Sequence, residues 1–233
     1  MRSAKAIFIK QARDLFRNRM MLIQFIIFPV MAFVMTEFVA KSTPEIPSSM
    51  FVTMFAAMFI GMTPLSMTAG VIAEDKEHNS LRFLVMAGVK PHEYLIGTCG
   101  FTFLACALVS LLFGLIGGFT SVELAKFVAV LILGSCASLL LGATIGLFSK
   151  NQQAATAIST PTFMLLAFSP MIAQFNTNVA KVSTIFYTQQ VNTIVNNLTD
   201  GIMKPILIIL ANIAILLTLF IIVYRKNKIR GKR

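Results

Sequence analysis

Six long windows of the chain carry no formal charge, at 20–36, 50–73, 94–122, 127–149, 151–180 and 205–224. A bilayer core is crossed by about 20 consecutive, mostly apolar residues in a helix, because every backbone N–H and C=O must find its partner within the segment. The windows therefore predict an all-α polytopic membrane protein with six transmembrane helices. The first window is short, so its helix is expected to run past Glu37; the third and fifth exceed one span and must include interfacial turns. Only 12% of the residues are charged, against about 25% in soluble domains. Cys99, Cys106 and Cys136 fall inside apolar runs, without metal or redox spacing, and read as buried free thiols.

An even number of spans puts both termini on one side. With the termini inside, 16 of the 20 Lys and Arg residues lie on that side, and Lys41, Lys126, Lys181 and Lys204 lie outside. Basic residues are retained in the cytoplasm, so both ends are expected there, in a multi-pass protein of the cell membrane. The net charge of +11 thus reads as topology and not as a nucleic-acid surface. Tyr94 and Tyr224 are expected at the inner headgroup layer. Residues 1–19 lack the apolar core and cleavage site of a signal peptide. Ala4, Phe8, Ala12, Leu15 and Phe16 recur there at helical spacing, mainly opposite Lys5, Lys10, Arg13 and Arg17, which predicts an amphipathic helix in the inner interface. It is either a plain anchor or an elbow that also touches a cytoplasmic partner. With the spans at 20–224 and a basic tail at 225–233, residues 1–233 read as a single transmembrane domain.

The windows hold none of the ionisable residues that a proton- or sodium-driven carrier needs within its spans. H-E-x-x-H, G-x-S-x-G and a G-x-x-x-x-G-K-[ST] phosphate loop are all absent, so no catalytic residue and no metal site is expected. Energy for uphill movement would have to come from another chain. The place for that chain to act is the loop at 74–93. Glu74, Asp75, Lys76 and Glu77 lead into Asn79-Ser80, a helix cap, followed by Leu81, Leu84, Val85 and Gly88 at i, i+3, i+4, i+7, with Pro91 expected to end the helix. A short helix of this kind suits insertion into a groove on a soluble subunit; alternatively the charges merely cap two helix ends and solvate the loop.

At Glu74-Asp75-Lys76-Glu77 and the following stretch to Glu93 the sequence resembles the ABC type 2 export permease family, whose second span is followed by a Glu-(Arg/Lys)-Glu cluster, a Leu-rich stretch, a small or Pro-containing turn and an acidic residue. Asn79-Ser80 stands where Gly-Thr is common in that family. The resemblance extends to the N-terminal amphipathic helix, the six spans and the basic tail. It implies a small bacterial exporter of peptides or drugs, of the type that exports phenol-soluble modulins, in the plasma membrane. It further implies that 74–93 is a coupling helix docking on a separate ATPase subunit, present in two copies, with ATP and Mg on that ATPase and no cofactor on this chain. Two permease copies, identical or a sister pair, would face each other across the path.

In the second span Met50, Met54, Met58 and Met62 recur every four residues beside Phe51, Phe55 and Phe59. Such a soft face suits an adaptable path for amphipathic peptides or hydrophobic drugs, or simply packing on neighbouring helices or lipid. Gly134, Ser138, Gly142 and Gly146 let helices approach closely, within one subunit or at a dimer seam. Pro29, Pro64, Pro161 and Pro170 fall inside spans. Between 176 and 204, helical periodicity through Val182, Ile185, Phe186, Val191, Ile194, Val195 and Leu198 predicts one or two amphipathic helices at or dipping into the outer face. Their Gln189, Gln190, Asn192, Asn196 and Asn197 either line a wet exit or form a solvated face. The leading expectation is the membrane subunit of an ATP-driven exporter working by alternating access. A membrane scaffold that recruits a soluble partner and a secondary carrier are the alternatives.

Overall fold

The computed structural model describes residues 2–230 apart from 44, 46, 48, 90 and 200, and their side chains apart from 2, 3, 20, 81, 82, 85, 91, 92 and 226–230. The side chains of the tail's basic residues beyond Arg225, and those of Leu81 and Val85, therefore lie outside the described ones. The chain is all-helical, with no strand among the described residues. An N-terminal helix α1 (Arg2–Arg17) precedes α2 (Arg19–Met35), which continues as a π-helical turn at Thr36–Ala40, carrying the first span past Glu37. Then come α3 (Met50–Glu77), a short α4 (Ser80–Met86), α5 (Pro91–Ile116), α6 (Ser121–Phe148), α7 (Gln152–Ala173), α8 (Thr177–Ser183), α9 (Tyr187–Asn196) and α10 (Met203–Arg230). Six of these helices, α2 with its π-turn, α3, α5, α6, α7 and α10, are long and apolar enough to cross a membrane.

Local chemistry sets the breaks. The third window ends in a turn where Gly118 adopts φ 64°, and α6 starts on a capping box in which Glu123 accepts from the Thr120 N–H at 3.0 Å and from its hydroxyl at 2.7 Å. Asn151 caps α7 by accepting from the Ala154 N–H at 2.9 Å, and Asn176 caps α8. The long fifth window thus resolves into α7 and a separate helix.

α3 is the axis of the bundle, with 72% of its most apolar window buried, against 11% for α10. It packs on α2, α5, α6, α7 and α9. The stripe Gly134, Ser138, Gly142 and Gly146 faces α3 of the same chain. A Cβ on Gly146 would lie 2.8 Å from the Ala69 carbonyl oxygen, one on Gly142 would strike the Leu65 carbonyl, and Ser138 Oγ donates to the Ile60 carbonyl at 2.5 Å. Close backbone approach through small residues supplies dispersion contact where no hydrophobic driving force exists between helices in lipid. Large apolar side chains left exposed on α2, α5 and α10, such as Ile26, Leu108 and Ile222, form the lipid-compatible outside. The three cysteines are free, with Cys106 fully buried.

Candidate functional site

The 74–93 segment sits at the end of the bundle that carries α1, and the structure sorts its charges. Asp75 is 4% exposed. Its carboxylate accepts from Lys10 Nζ of α1 at 2.7 Å and from the Tyr94 hydroxyl of α5 at 2.8 Å. Lys76 Nζ reaches across to α6 and donates to the carbonyls of Leu147 (2.8 Å) and Ser149 (2.7 Å), two of the groups that a helix C-terminus leaves without intrahelical partners. Glu77 accepts from the Gln152 N–H at 2.9 Å, placing a negative charge at the positive end of α7. Three consecutive charges thus bind the end of α3 to α1, α5, α6 and α7, while Glu74 remains half-buried beside them.

Beyond Glu77 the chain reverses at Asn79, whose φ of 57° lies in the left-handed region that asparagine tolerates, and α4 follows. The expected end of this helix at Pro91 is corrected by the structure. Gly88 at φ 80° and the Val89 N–H donating to the Leu84 carbonyl at 3.0 Å close α4 as a Schellman motif, and Pro91 opens α5, where its missing N–H costs nothing. The motif brings Leu84 and Val89 onto a small core of Ile7, Ile72, Tyr94, Ala143 and Leu147. Leu84 consequently faces the membrane helices. Among the described residues of α4, the large apolar side chains presented outward are Phe83 and Met86, each 65% exposed.

Tyr94 is likewise not an interfacial anchor. It is 6% exposed, and its hydroxyl is spent on Asp75 rather than on headgroups. Tyr224 stacks on Phe220, with ring centroids 6.2 Å apart. The Met/Phe ladder of the second span divides. Phe59 is fully buried among Phe25, Phe28 and Phe113, with centroids 6.2, 6.3 and 5.7 Å away, and Met58 is buried, whereas Met54, Phe55 and Met62 are half-buried.

At the opposite end, α9 dips into the bundle. Tyr187, Val191, Ile194 and Val195 are buried, and Tyr187 OH lies 2.7 Å from Ser138 Oγ; because Ser138 gives its proton to Ile60, the phenol is the donor. Burial pushes the Tyr187 phenol upward, which keeps that donor neutral. The expectation of a wet row is corrected in part: Gln190 and Asn192 are each 4% exposed, and Gln190 Nε2 donates to the Thr184 carbonyl at 2.5 Å. Asn196 accepts from Thr53 Oγ1 of α3 at 2.8 Å and donates to the Asn192 carbonyl at 2.8 Å. Gln189 is half-buried and Asn197 exposed.

Lys10 and Tyr94 escaped the reading of the sequence as functional residues. Lys10 and Asp75 are 65 positions apart, and a helical wheel of α1 alone assigns Lys10 to solvent. For Lys76 a signal existed, since the windows ending at 73 and 149 finish at the same end of the bundle and bring a cation beside a helix C-terminus.

A family model, that of the ABC-2 type transporters, matches residues 2–177. The match begins in α1, takes in the first five spans and the whole 74–93 segment, and stops at the start of α8. A comparison with curated proteins gives no match.

Proposed function

The chain belongs to the ABC-2 type transporter family, and from that premise, which makes it the membrane component of an ABC transporter, we propose that it is the permease of an exporter of amphipathic peptides, of the cytolytic kind, or hydrophobic drugs. α4 docks on a separate ATPase subunit, two copies of which bind ATP and Mg, and two permease copies enclose the path. The observation that carries this reading is the two-sidedness of α4, with Leu84 against the membrane helices and Phe83 and Met86 outward at one end of the bundle. Aromatic and methionine side chains exposed side by side on a short helix are the kind of anchor that protein interfaces favour. That end lies in the cytoplasm of the cell membrane, a placement supported by the 16 of 20 basic residues that share its side.

ATP binding draws the ATPase dimer together, α4 moves with it, and the ties from Asp75, Lys76 and Glu77 pass the displacement to α1, α5, α6 and α7. Phe59 and its aromatic neighbours fill the interior of one subunit, which supports a path between copies rather than through one. Reconstituted in vesicles with its ATPase, the wild type is expected to extrude a fluorescent amphipathic peptide only with ATP and Mg. Phe83→Asp/Met86→Asp is expected to lower that rate about tenfold or more without lowering the melting temperature of the permease. Transport that follows an ion gradient after ATP depletion would identify a secondary carrier instead, and recruitment of a partner without transport would identify a scaffold.

A further inference from the structure

A cavity of about 460 Å³ lies between α1, the start of α2 and the last turns of α3, within the roughly 300–1,000 Å³ of small-molecule sites. Its walls are ionic and carry both signs. Arg17 and Arg19 line it from the junction of α1 and α2, Lys10 and Asp14 from α1, and Glu74 and Asp75 from α3. These groups are not equivalent. Asp75 is compensated by Lys10 and Tyr94, and Asp14 lies 4.0 Å from the same ammonium. Arg17 and Arg19, both exposed, and the half-buried Glu74 have no side-chain partner among the described residues. Gln11 also lines the cavity; it is 5% exposed, and its Nε2 has no hydrogen-bond partner among the described residues. A buried amide donor left unpaired is costly, and a ligand oxygen removes that cost.

Two guanidinium forks and an amide donor beside one uncompensated carboxylate match a phosphate ester that also bears an ammonium group. The surroundings identify the source of such a group. α1 exposes Phe16 (74%) and Ile9 (48%), and α2 exposes Ile23, Ile26 and Ile27, so apolar surface suited to acyl chains runs beside the cavity. We propose that the cavity binds the headgroup of a zwitterionic phospholipid, the phosphate on Arg17, Arg19 and Gln11 and the ammonium on Glu74. The inference needs only that α1 lies in a membrane interface. It does not depend on where the ATPase docks.

The test uses the full chain, purified in detergent and offered equimolar phosphatidylethanolamine and phosphatidylglycerol with identical acyl chains, the retained lipid being counted by native mass spectrometry. The wild type is expected to retain the ethanolamine lipid about fivefold over the glycerol lipid, and Arg17→Gln/Arg19→Gln to retain about tenfold less of it. Glu74→Gln is expected to abolish the preference while lipid is still held. Arg13→Gln, an exposed residue of α1 outside the cavity, is expected to change nothing. Glycerophosphoethanolamine in excess distinguishes the sources: displacement assigns the site to the headgroup alone, and resistance assigns it to the membrane-anchored lipid. Where the double glutamine variant does not fold, Arg17→Lys/Arg19→Lys keeps the charge and removes the forks, and is expected to weaken retention several-fold. Equal retention of both lipids by the wild type, or wild-type retention by a folded arginine variant, overturns the proposal.

Discussion

The two ends of the bundle are fastened by different chemistry. At the α1 end full charges make the ties, with Lys10 and Tyr94 on Asp75, Lys76 on the carbonyls that end α6 and Glu77 on the start of α7. At the far end neutral groups prevail, with Tyr187 on Ser138, Thr53 on Asn196 and Gln190 on the Thr184 carbonyl, joined by Lys126 on the Leu198 carbonyl at 3.0 Å. Charge-assisted hydrogen bonds are roughly twice as strong as neutral ones. Neutral side-chain bonds between membrane helices average only about 0.6 kcal/mol, because the separated helices find other partners. One end therefore ties α1, α3, α5, α6 and α7 into a block. On the account proposed here, the other is held by bonds weak enough to exchange when a path opens.

This contrast breaks first at Lys10. Lys10→Met leaves the carboxylate of Asp75 buried with only the Tyr94 hydroxyl, and is expected to destabilise the purified protein by about 2–3 kcal/mol; the full cost of an uncompensated buried charge, about 3–5 kcal/mol, is reduced because Lys10 is half exposed. Pairing it with Asp75→Asn is expected to return more than half of the loss, since the orphaned charge is then gone; an additive double variant would show that the two residues do not interact. Lys76→Met strips the end of α6 of its cation and is expected to cost about 1–2 kcal/mol, read from the same denaturation midpoints. Tyr187→Phe, at the neutral end, is expected to cost about 1 kcal/mol or less. A loss at Tyr187 equal to that at Lys10 would erase the distinction between the ends.

Much of this molecule could be read from its sequence, for a physical reason. Charge cannot sit in hydrocarbon without a partner, so six charge-free windows translate directly into six helices, and Glu37 at the edge of one marks a helix that continues rather than stops. Glycines and a serine four apart on the fourth span announce a close approach, although only the structure says that the neighbour is α3 of the same chain. The orientation of the loop charges was not legible. Asp75, Lys76 and Glu77 are local in sequence, but their partners lie on four other helices between 19 and 75 positions away, and nothing in a charged run tells a solvated carboxylate from one tied to a remote lysine. α4 illustrates the same limit: periodicity puts Leu84 on an apolar stripe, yet does not say whether that residue is turned toward a partner or toward the chain's own helices. The Schellman closure at Gly88, which carries Leu84 and Val89 onto Ile72 and Tyr94, decides that.

The most direct test of the account is therefore a comparison of single cysteines at positions 83, 84 and 86, introduced one at a time with the native cysteines replaced by serine. Each permease is assembled with its ATPase and treated with a short bifunctional reagent. Phe83→Cys and Met86→Cys are expected to cross-link to the ATPase, in a yield that changes when ATP is bound, and Leu84→Cys is expected to stay unlinked because its side chain packs against the membrane helices. Cross-linking at 84 with none at 83 and 86 would contradict the two-sided α4 on which the coupling proposal rests.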